Sequence, residues 1–191
     1  MSAGNPGARL RARLSGNLGA GEPGVVLIDG RSGSGKTTFA AQLAEESGAQ
    51  ILHLEDLYPG WDGLAAGSRA VADVLRAGEY RGYDWLAGDF GDGWVALDPA
   101  RPLVIEGCGA VTARNLRAVR DFIASAGSTV ARTPAPVRSL WLECPAPLRR
   151  QRALARDGEI FAPHWDSWAA QEETQIAAER PIALVDEIVH T

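Results

Sequence analysis

Short apolar runs recur along the chain, and polar segments with a helical period separate them. Runs of roughly four to eight residues rich in Val, Ile and Leu indicate buried strands. We predict five such strands, at 25–28, 49–54, 103–107, 137–143 and 182–189. Because helical segments alternate with these strands, the pattern favours a parallel sheet that helices cover on both faces.

The segments between the strands place apolar residues three or four positions apart, which is typical of amphipathic helices. Leu10, Leu14 and Leu18 predict a short helix that packs beside the first strand, although its arginines leave a basic anion-binding arm open. Residues 1–7 are expected to fray and residues 19–24 to form a linker. Further helices are predicted from the end of the glycine-rich loop to 47–48, at 68–76 with Ser68 as its cap, and at 112–126, 147–157 and 165–180. The segment 79–99 has no clear period and is predicted to be a functional loop.

The stretch from Gly30 to Thr37 matches G-x-x-x-x-G-K-[ST], the pattern of a phosphate-binding loop. It lies between a predicted strand and a predicted helix, as such a loop must. Glycines let the backbone N–H groups point inward, and the positive end of the helix dipole adds to the attraction of phosphate. The predicted ATP-binding residues are Gly30, Arg31, Ser32, Gly33, Ser34, Gly35, Lys36, Thr37 and Thr38. The Thr37 hydroxyl is a candidate Mg²⁺ ligand.

Lys36 is the only lysine among the nineteen lysine and arginine residues of the chain. An ammonium is a compact point charge, whereas a guanidinium is a wide planar fork. The single lysine therefore predicts a backbone ring that is too tight for arginine.

Two acidic residues follow or end predicted strands. Asp56 comes after the second strand, and Glu106 closes a later one. Ligands of parallel sheets bind at the carboxyl ends of the strands, so we expect both acids to converge on the phosphate loop. Glu106 suits an outer-sphere magnesium role, and Asp56 suits the hydroxyl of a phosphate acceptor. A strand-end cap for Glu106 and a loop cap for Asp56 remain alternatives.

Arginines and aromatic residues supply further candidates. Arg149, Arg152 and Arg156 fall at helical spacing and could form a lid over the phosphates or a solvated helix face. Aromatic residues near the predicted acceptor site could stack on a flat ring or simply pack together. They are Tyr58, Trp61, Tyr80, Tyr83 and Trp85.

Composition narrows the class of protein. With 191 residues, 46% hydrophobic and 23% charged, the chain suits a single globular domain spanning 1–191. A net charge of -5 argues against general nucleic-acid binding. Cys108 and Cys144 are expected to be buried free thiols. Without an apolar span or a signal segment, we expect a cytoplasmic location, no membrane partner, and a monomer or homodimer.

Four motifs in order resemble the uridine kinase-like nucleoside and nucleotide kinases of the P-loop class. They are GRSGSGKTT at 30–38, LEDLY at 54–58, LVIEG at 103–107 and RRQRALARD at 149–157. The resemblance implies a three-layer α/β/α P-loop NTPase fold with a mostly parallel five-stranded sheet and a short helical lid at about 146–165. It also implies ATP and Mg²⁺ as cofactors and catalytic roles for Lys36, Asp56, Arg152 and Arg156. Asp56, Tyr58, Tyr83 and Trp85 would contact the acceptor, and Thr37 and Glu106 the metal.

The chain departs from this group in two places. Tyr83-Asp84-Trp85 stands where the family has Phe-Asp-His-Pro, and the glycine-arginine continuation of the lid is missing after Arg156. We therefore expect a kinase of a nucleoside-like hydroxyl acceptor, without assigning uridine. A nucleoside monophosphate kinase using Arg69, Arg76 and Arg81 is one alternative, and a non-catalytic ATP-binding regulator is another. The sequence contains no N-K-x-D element, so guanine specificity is not expected.

Overall fold

The computed structural model describes residues 6–18, 24–125 and 137–191. Its strands are β1 (Val25–Asp29), β2 (Gln50–His53), β3 (Glu79–Asp84), β4 (Asp89–Ala96), β5 (Leu103–Glu106), β6 (Val137–Glu143) and β7 (Glu187–His190). Its α-helices are α1 (Pro6–Leu18), α2 (Lys36–Ser47), α3 (Leu64–Ala77), α4 (Ala113–Ser125), α5 (Ala146–Phe161) and α6 (Trp165–Glu179). Short 3₁₀ helices cover Leu54–Leu57, Ala162–His164 and Pro181–Ala183.

The main sheet has five strands in the order β2-β5-β1-β6-β7, and every neighbouring pair is parallel. This confirms the predicted α/β fold with its five-stranded sheet. The last strand begins at Glu187, because Pro181–Ala183 forms a 3₁₀ turn where the sequence pattern predicted strand. The carboxyl ends of β1, β2 and β5 lie at one edge of the sheet.

Two apolar cores cover the two faces of the sheet. Successive residues of a strand point to opposite faces, so β1 contributes to both cores. Val25 and Leu27 pack with residues of α3 and α4, whereas Val26 and Ile28 pack with residues of α1 and α2. A parallel strand that is buried on both faces explains the unbroken apolar run at 25–28.

Helix α1 packs into the apolar core on the α2 face of the sheet, as its leucine spacing predicts. Leu10, Leu14 and Leu18 are buried beside β1 residues and Phe39 of α2. The helix begins at Pro6, inside the segment that was expected to fray, and residues 1–5 lie outside the described part of the chain. The predicted linker also lies outside it except for Gly24, as does Ala126, the last residue of the helix predicted at 112–126.

The segment 79–99 contains a β-hairpin, so the prediction of a loop there was wrong. Strands β3 and β4 pair antiparallel and form a separate two-stranded sheet, with an irregularity between Arg81 and Tyr83. The hairpin is not apparent from the sequence, because most residues of β4 are exposed and the strand lacks a regular alternation of apolar and polar residues. Strand pairing, rather than burial of one face, defines these two strands.

Helix α3 begins earlier than its sequence pattern indicates. It starts at Leu64, so Ser68 lies inside the helix and is not its cap. The Ser68 hydroxyl is buried and donates to the backbone oxygen of Gly109 at 2.7 Å. Gly67 lies in the first turns of α3, although glycine is unfavourable in a helix and made this start hard to predict. A close contact explains the glycine, because a Cβ at this position would lie 2.4 Å from the Tyr58 ring.

Both cysteines are buried free thiols, as predicted. No helix among the described residues is long and apolar enough to span a membrane.

A matched pair of leucines tests the packing of α1. Leu14 is 2% exposed, whereas Leu86 at the hairpin turn is 95% exposed. Leu14→Ala should lower the free energy of unfolding by about 2–5 kcal/mol because it empties a core position. Leu86→Ala should change it by less than about 0.5 kcal/mol. Denaturant titrations of both variants provide the measurement, and equal values would show that α1 is a dispensable arm.

Candidate active site

The phosphate loop joins β1 to α2 and is held by close backbone approaches. A Cβ at Gly33 would lie 2.1 Å from the backbone oxygen of Arg149, and one at Gly30 would lie 2.5 Å from the backbone oxygen of Leu142. Both residues also have positive φ values, 78° and 147°. Glycine is therefore required at both positions by contact as well as by backbone conformation.

The Lys36 side chain is buried and turns back over the loop. Its ammonium donates to the backbone oxygen of Arg31 at 3.1 Å and lies 3.5 Å from the Cys108 sulfur. Burial acts to lower the pKa of Lys36, but its surroundings, including Cys108, Glu106 and Glu172, together raise it above its usual value. The lysine thus carries its charge at neutral pH, and the tight backbone ring stays a prediction.

Thr37 and Glu106 are brought together, as expected for a magnesium site. The Thr37 hydroxyl donates to Glu106 Oε1 at 3.2 Å, and His53 Nδ1 lies 2.7 Å from the same oxygen. Burial would raise the pKa of Glu106, yet the hydrogen bond from His53 and the charge of Lys36 hold it below its usual value. Glu106 is therefore an ionised, buried carboxylate beside a hydroxyl.

These two groups fit Mg²⁺ bound together with a nucleotide. The described residues contain no group of three or more His, Cys, Asp or Glu side chains that could hold a metal by themselves. Mg²⁺ commonly takes one or two carboxylate or hydroxyl ligands from protein and the rest from phosphates and water. A donor set of Thr37 and Glu106 next to a phosphate loop matches that chemistry.

A cavity of about 450 Å³ opens beside the phosphate loop. Its lining comes from the loop, the end of β5, the 3₁₀ helix after β2, the hairpin, the end of α5, and α6. The lining residues are Ser32, Gly33, Gly35, Lys36, Thr37, Thr38, Glu55, Tyr58, Trp61, Trp85, Glu106, Gly107, Cys108, Arg156, Asp157, Ile160, Phe161 and Trp168.

Glu55, rather than Asp56, lines this cavity. In a 3₁₀ helix successive residues are about 120° apart, and residues three apart share one side. Leu54 and Leu57 share the buried side of this helix. Glu55 and Asp56, which lie between them, therefore point away from the core in two different directions. Asp56 accepts a hydrogen bond from the Tyr80 hydroxyl of the hairpin at 3.3 Å and is not part of the lining.

Glu55 is an exposed residue on the wall of this cavity. Partial desolvation raises the pKa of its carboxyl above the ordinary value, although the charge of Arg156 acts in the opposite direction. The sequence carried a signal for this residue. In LEDLY, Glu55 stands three positions before Tyr58, which is the spacing between the aspartate and the tyrosine in Asp-x-Phe-Tyr.

The predicted aromatic cluster divides into two groups. Tyr58, Trp61 and Trp85 line the cavity, whereas Tyr80 and Tyr83 do not. Tyr58 donates to the backbone oxygen of Cys108 at 2.9 Å, and the Trp85 indole donates to the backbone oxygen of Glu55 at 3.3 Å. These bonds fix two aromatic rings beside the candidate acceptor carboxylate.

Other aromatic side chains extend this wall from the last two helices. Phe161 and Trp168 line the cavity, and the His164 ring stacks on Trp61 with centroids 4.3 Å apart. Phe161 lies nearly parallel to Trp61 at 5.4 Å. None of these three residues was predicted to belong to the site. Phe161 and His164 follow a kink at Gly158, whose φ of 55° and ψ of -134° interrupt α5.

The three candidate lid arginines of α5 have different surroundings. Arg149 is buried and donates to the backbone oxygens of Cys144 and Ser32 at 3.1 and 3.2 Å, so it supports the phosphate loop. Arg152 donates to the Cys144 sulfur and to the Thr191 hydroxyl. Arg156 alone of the three lines the cavity, where it forms two hydrogen bonds with Asp157 at 2.8 and 2.7 Å.

Two acidic residues of helix α6 contact the phosphate loop, a role that was not predicted from the sequence. The buried Glu172 carboxylate accepts from the Ser32 backbone N–H at 2.7 Å and from the Cys108 thiol at 3.4 Å. The neighbouring Glu173 pairs with Arg31 at 2.7 Å. Burial raises the pKa of Cys108 to about 12, so the thiol remains protonated beside Lys36.

Solved structures share this fold. A possible uridine kinase from Bacillus stearothermophilus is 21% identical, with a TM-score of 0.56 over 95% of this chain and 98% of its own. The "putative fructose transport system kinase" from Silicibacter sp. TM1040 is 19% identical, with a TM-score of 0.53 over 97% and 99%. No family model and no curated protein matches the chain. The protein thus shares the overall α/β fold of these two structures, with a parallel five-stranded sheet as its motifs predict.

The surroundings of Lys36 predict that arginine cannot replace it. Lys36→Arg and Lys36→Ala should each weaken ATP binding by about ten- to a hundredfold, the equivalent of a hydrogen bond to a charged group. The exposed Arg150 supplies the reverse swap as a control, because Arg150→Lys should bind ATP like the wild type. Isothermal titration with ATP measures all three variants. Wild-type affinity in Lys36→Arg would contradict the tight ring.

Proposed function

We propose that this protein is an ATP-dependent kinase that transfers the γ-phosphoryl group of ATP to a hydroxyl of a nucleoside-like acceptor. The observation that carries the proposal is that the phosphate loop and the Glu55 carboxylate line the same cavity. The kinase-type fold supports it. An acceptor hydroxyl between Glu55 and the phosphates would have a base on one side and its electrophile on the other.

The proposed roles follow the requirements of phosphoryl transfer. The loop N–H groups and Lys36 hold the β- and γ-phosphates. Thr37 and Glu106 would hold Mg²⁺, which would supply positive charge to neutralise the phosphates. Glu55 takes the proton of the acceptor hydroxyl while the oxygen of that hydroxyl bonds to the γ-phosphorus. The bond from that phosphorus to the β–γ bridging oxygen breaks, and ADP leaves.

Glu55 suits this role better than Asp56. A general base works best when its pKa lies near the operating pH, and partial desolvation raises the pKa of Glu55 above its ordinary value. Asp56 is held by the Tyr80 hydroxyl outside the cavity. We therefore assign the acceptor carboxylate to Glu55. Arg156 would stabilise the charge that develops on the transferred group, because it is the lid arginine that lines the cavity.

The nucleoside monophosphate kinase alternative lacks a cation for the acceptor phosphate. Arg69 is exposed, Arg76 pairs with Asp73 at 2.8 Å, and Arg81 lies over the Trp94 ring. None of the three lines the cavity. Among the described residues, the cavity cations are Lys36 and Arg156, and Asp157 already pairs with Arg156. Because the described residues leave no unpaired cation in the cavity once Lys36 holds the ATP phosphates, an acceptor without a phosphate fits the cavity better than a nucleoside monophosphate.

An acceptor screen tests the proposal directly. ATP consumption would be followed with Mg²⁺ over nucleosides, nucleotides, sugars and small alcohols. The proposal expects turnover with a hydroxyl compound that carries a flat ring and no phosphate. Turnover confined to nucleoside monophosphates would favour the monophosphate kinase. ATP binding without turnover in any of these classes would favour the ATP-binding regulator, which has no use for Glu55.

Neighbouring carboxylates give the sharpest test of the base. Glu55→Gln should lower turnover by roughly 10²–10⁴-fold, as is typical of a lost general base. Asp56→Asn should change turnover much less, and both variants should keep ATP affinity within a few fold. In the wild type, kcat should fall as the pH drops through the raised pKa of Glu55, because the protonated carboxyl cannot accept a proton. That acid limb should vanish in Glu55→Gln, and the opposite ranking of the two variants would return the role to Asp56.

The lid arginines form a second matched pair. Arg156→Ala should reduce single-turnover transfer by about 10²–10³-fold, the usual cost of a lost charge-stabilising donor, with little change in ATP affinity. Arg152→Ala should retain most of the transfer rate, because Arg152 contacts Cys144 and Thr191 and not the cavity. A similar loss in both variants would mean that the lid closes onto the nucleotide with both arginines.

A further inference from the structure

His53 and Glu106 are directly paired across the main sheet. Strands β2 and β5 are parallel neighbours, and their register places His53 opposite Glu106 at the carboxyl ends of both strands. His53 Nδ1 lies 2.7 Å from Glu106 Oε1. The Glu106 side chain is almost fully buried, whereas the His53 side chain is about one-third exposed. The histidine therefore reaches the buried carboxylate from the solvent side.

One oxygen of Glu106 receives both neighbouring donors. Thr37 Oγ1 donates to Oε1 at 3.2 Å from the phosphate-loop side, and His53 approaches the same oxygen from the neighbouring strand. A carboxylate that is held at one oxygen by donors from two elements cannot rotate freely. Its orientation relative to Thr37, the candidate metal ligand, is thereby set before a nucleotide arrives.

We propose that His53 is a positioning residue for the magnesium carboxylate Glu106. The inference rests on the metal role that the proposed function gives to Glu106 and Thr37. Hydrogen-bonded partners of metal-binding side chains orient those side chains, and their loss commonly costs about 10–100-fold in metal affinity. His53 acts through Glu106 and does not itself touch the metal or the acceptor.

The charges around His53 are consistent with this role. Glu106 faces it across the ladder, and Glu55 and Asp56 follow it on the same segment. All three are acidic, so the imidazole is the positive or hydrogen-bond-donating member of an acidic cluster. The hydrogen bond, and not the charge alone, is what fixes the carboxylate. An asparagine at position 53 could donate from an amide nitrogen placed much like Nδ1, whereas alanine could not.

The test measures metal binding without any acceptor. Mn²⁺ would be titrated by electron paramagnetic resonance into the full chain saturated with ADP, for the wild type, His53→Ala and His53→Asn. Nucleotide affinity in EDTA serves as the metal-free reference, and the exposed His190 provides the control His190→Ala. We expect His53→Ala to weaken Mn²⁺ binding by about 10–100-fold. We expect His53→Asn to restore it to within a few fold, and metal-free ADP affinity to be the same in every variant.

The outcomes separate the inference from the proposed function. Wild-type Mn²⁺ affinity in His53→Ala would overturn the inference while leaving the kinase proposal intact. An equal loss in His53→Ala and His53→Asn, accompanied by weaker metal-free ADP binding, would also overturn it, because that pattern indicates a general structural role. A wild-type protein that binds ADP but no Mn²⁺ would refute the metal role of Glu106 and, with it, both proposals.

Discussion

The parallel register of β2, β5 and β1 is the constraint on which the site depends. It sets His53, Glu106 and Ile28 level with one another across three neighbouring strands. The phosphate loop, the 3₁₀ helix after β2 and the turn after β5 all leave the sheet at this edge. A slip of one residue would turn Glu106 to the opposite face, because side chains alternate along a strand. The carboxylate would then lose both Thr37 and His53.

Burial of charge around Lys36 explains why α6 belongs to the phosphate loop. Buried charges are tolerated when they are paired and hydrogen-bonded. Lys36 is surrounded by Glu106, Glu172 and Asp29, and Glu172 reaches the loop from α6. Asp29 accepts the backbone N–H groups of Gly30, Gly109 and Val111, although burial still raises its pKa to about 6. The same carboxylates thus hold the loop, the turn after β5 and the last helix together.

The acceptor side of the cavity is assembled from segments that lie far apart along the chain. Trp61 precedes α3, Trp85 follows β3, and Phe161 and Trp168 come from the last two helices. The hairpin and the kink at Gly158 bring them together. The flat-ring acceptor that we propose rests on this aromatic wall. The departures from the uridine kinase-like motifs fall in the same segments, at Tyr83–Trp85 and after Arg156.

The sequence by itself determined the position of the glycine-rich loop between β1 and α2, the parallel sheet, the approach of Glu106 to that loop, and the packing of α1. These follow from local patterns, since apolar runs define buried strands and the carboxyl ends of parallel strands share an edge. Only the tertiary structure decided between Glu55 and Asp56, among the three lid arginines, and between hairpin and loop at 79–99. Each of these depends on the direction of a side chain or on pairing with a distant strand. Glu55 matches the spacing of Asp-x-Phe-Tyr and Asp56 matches its residue type, so the sequence left both open until the fold directed one side chain into the cavity.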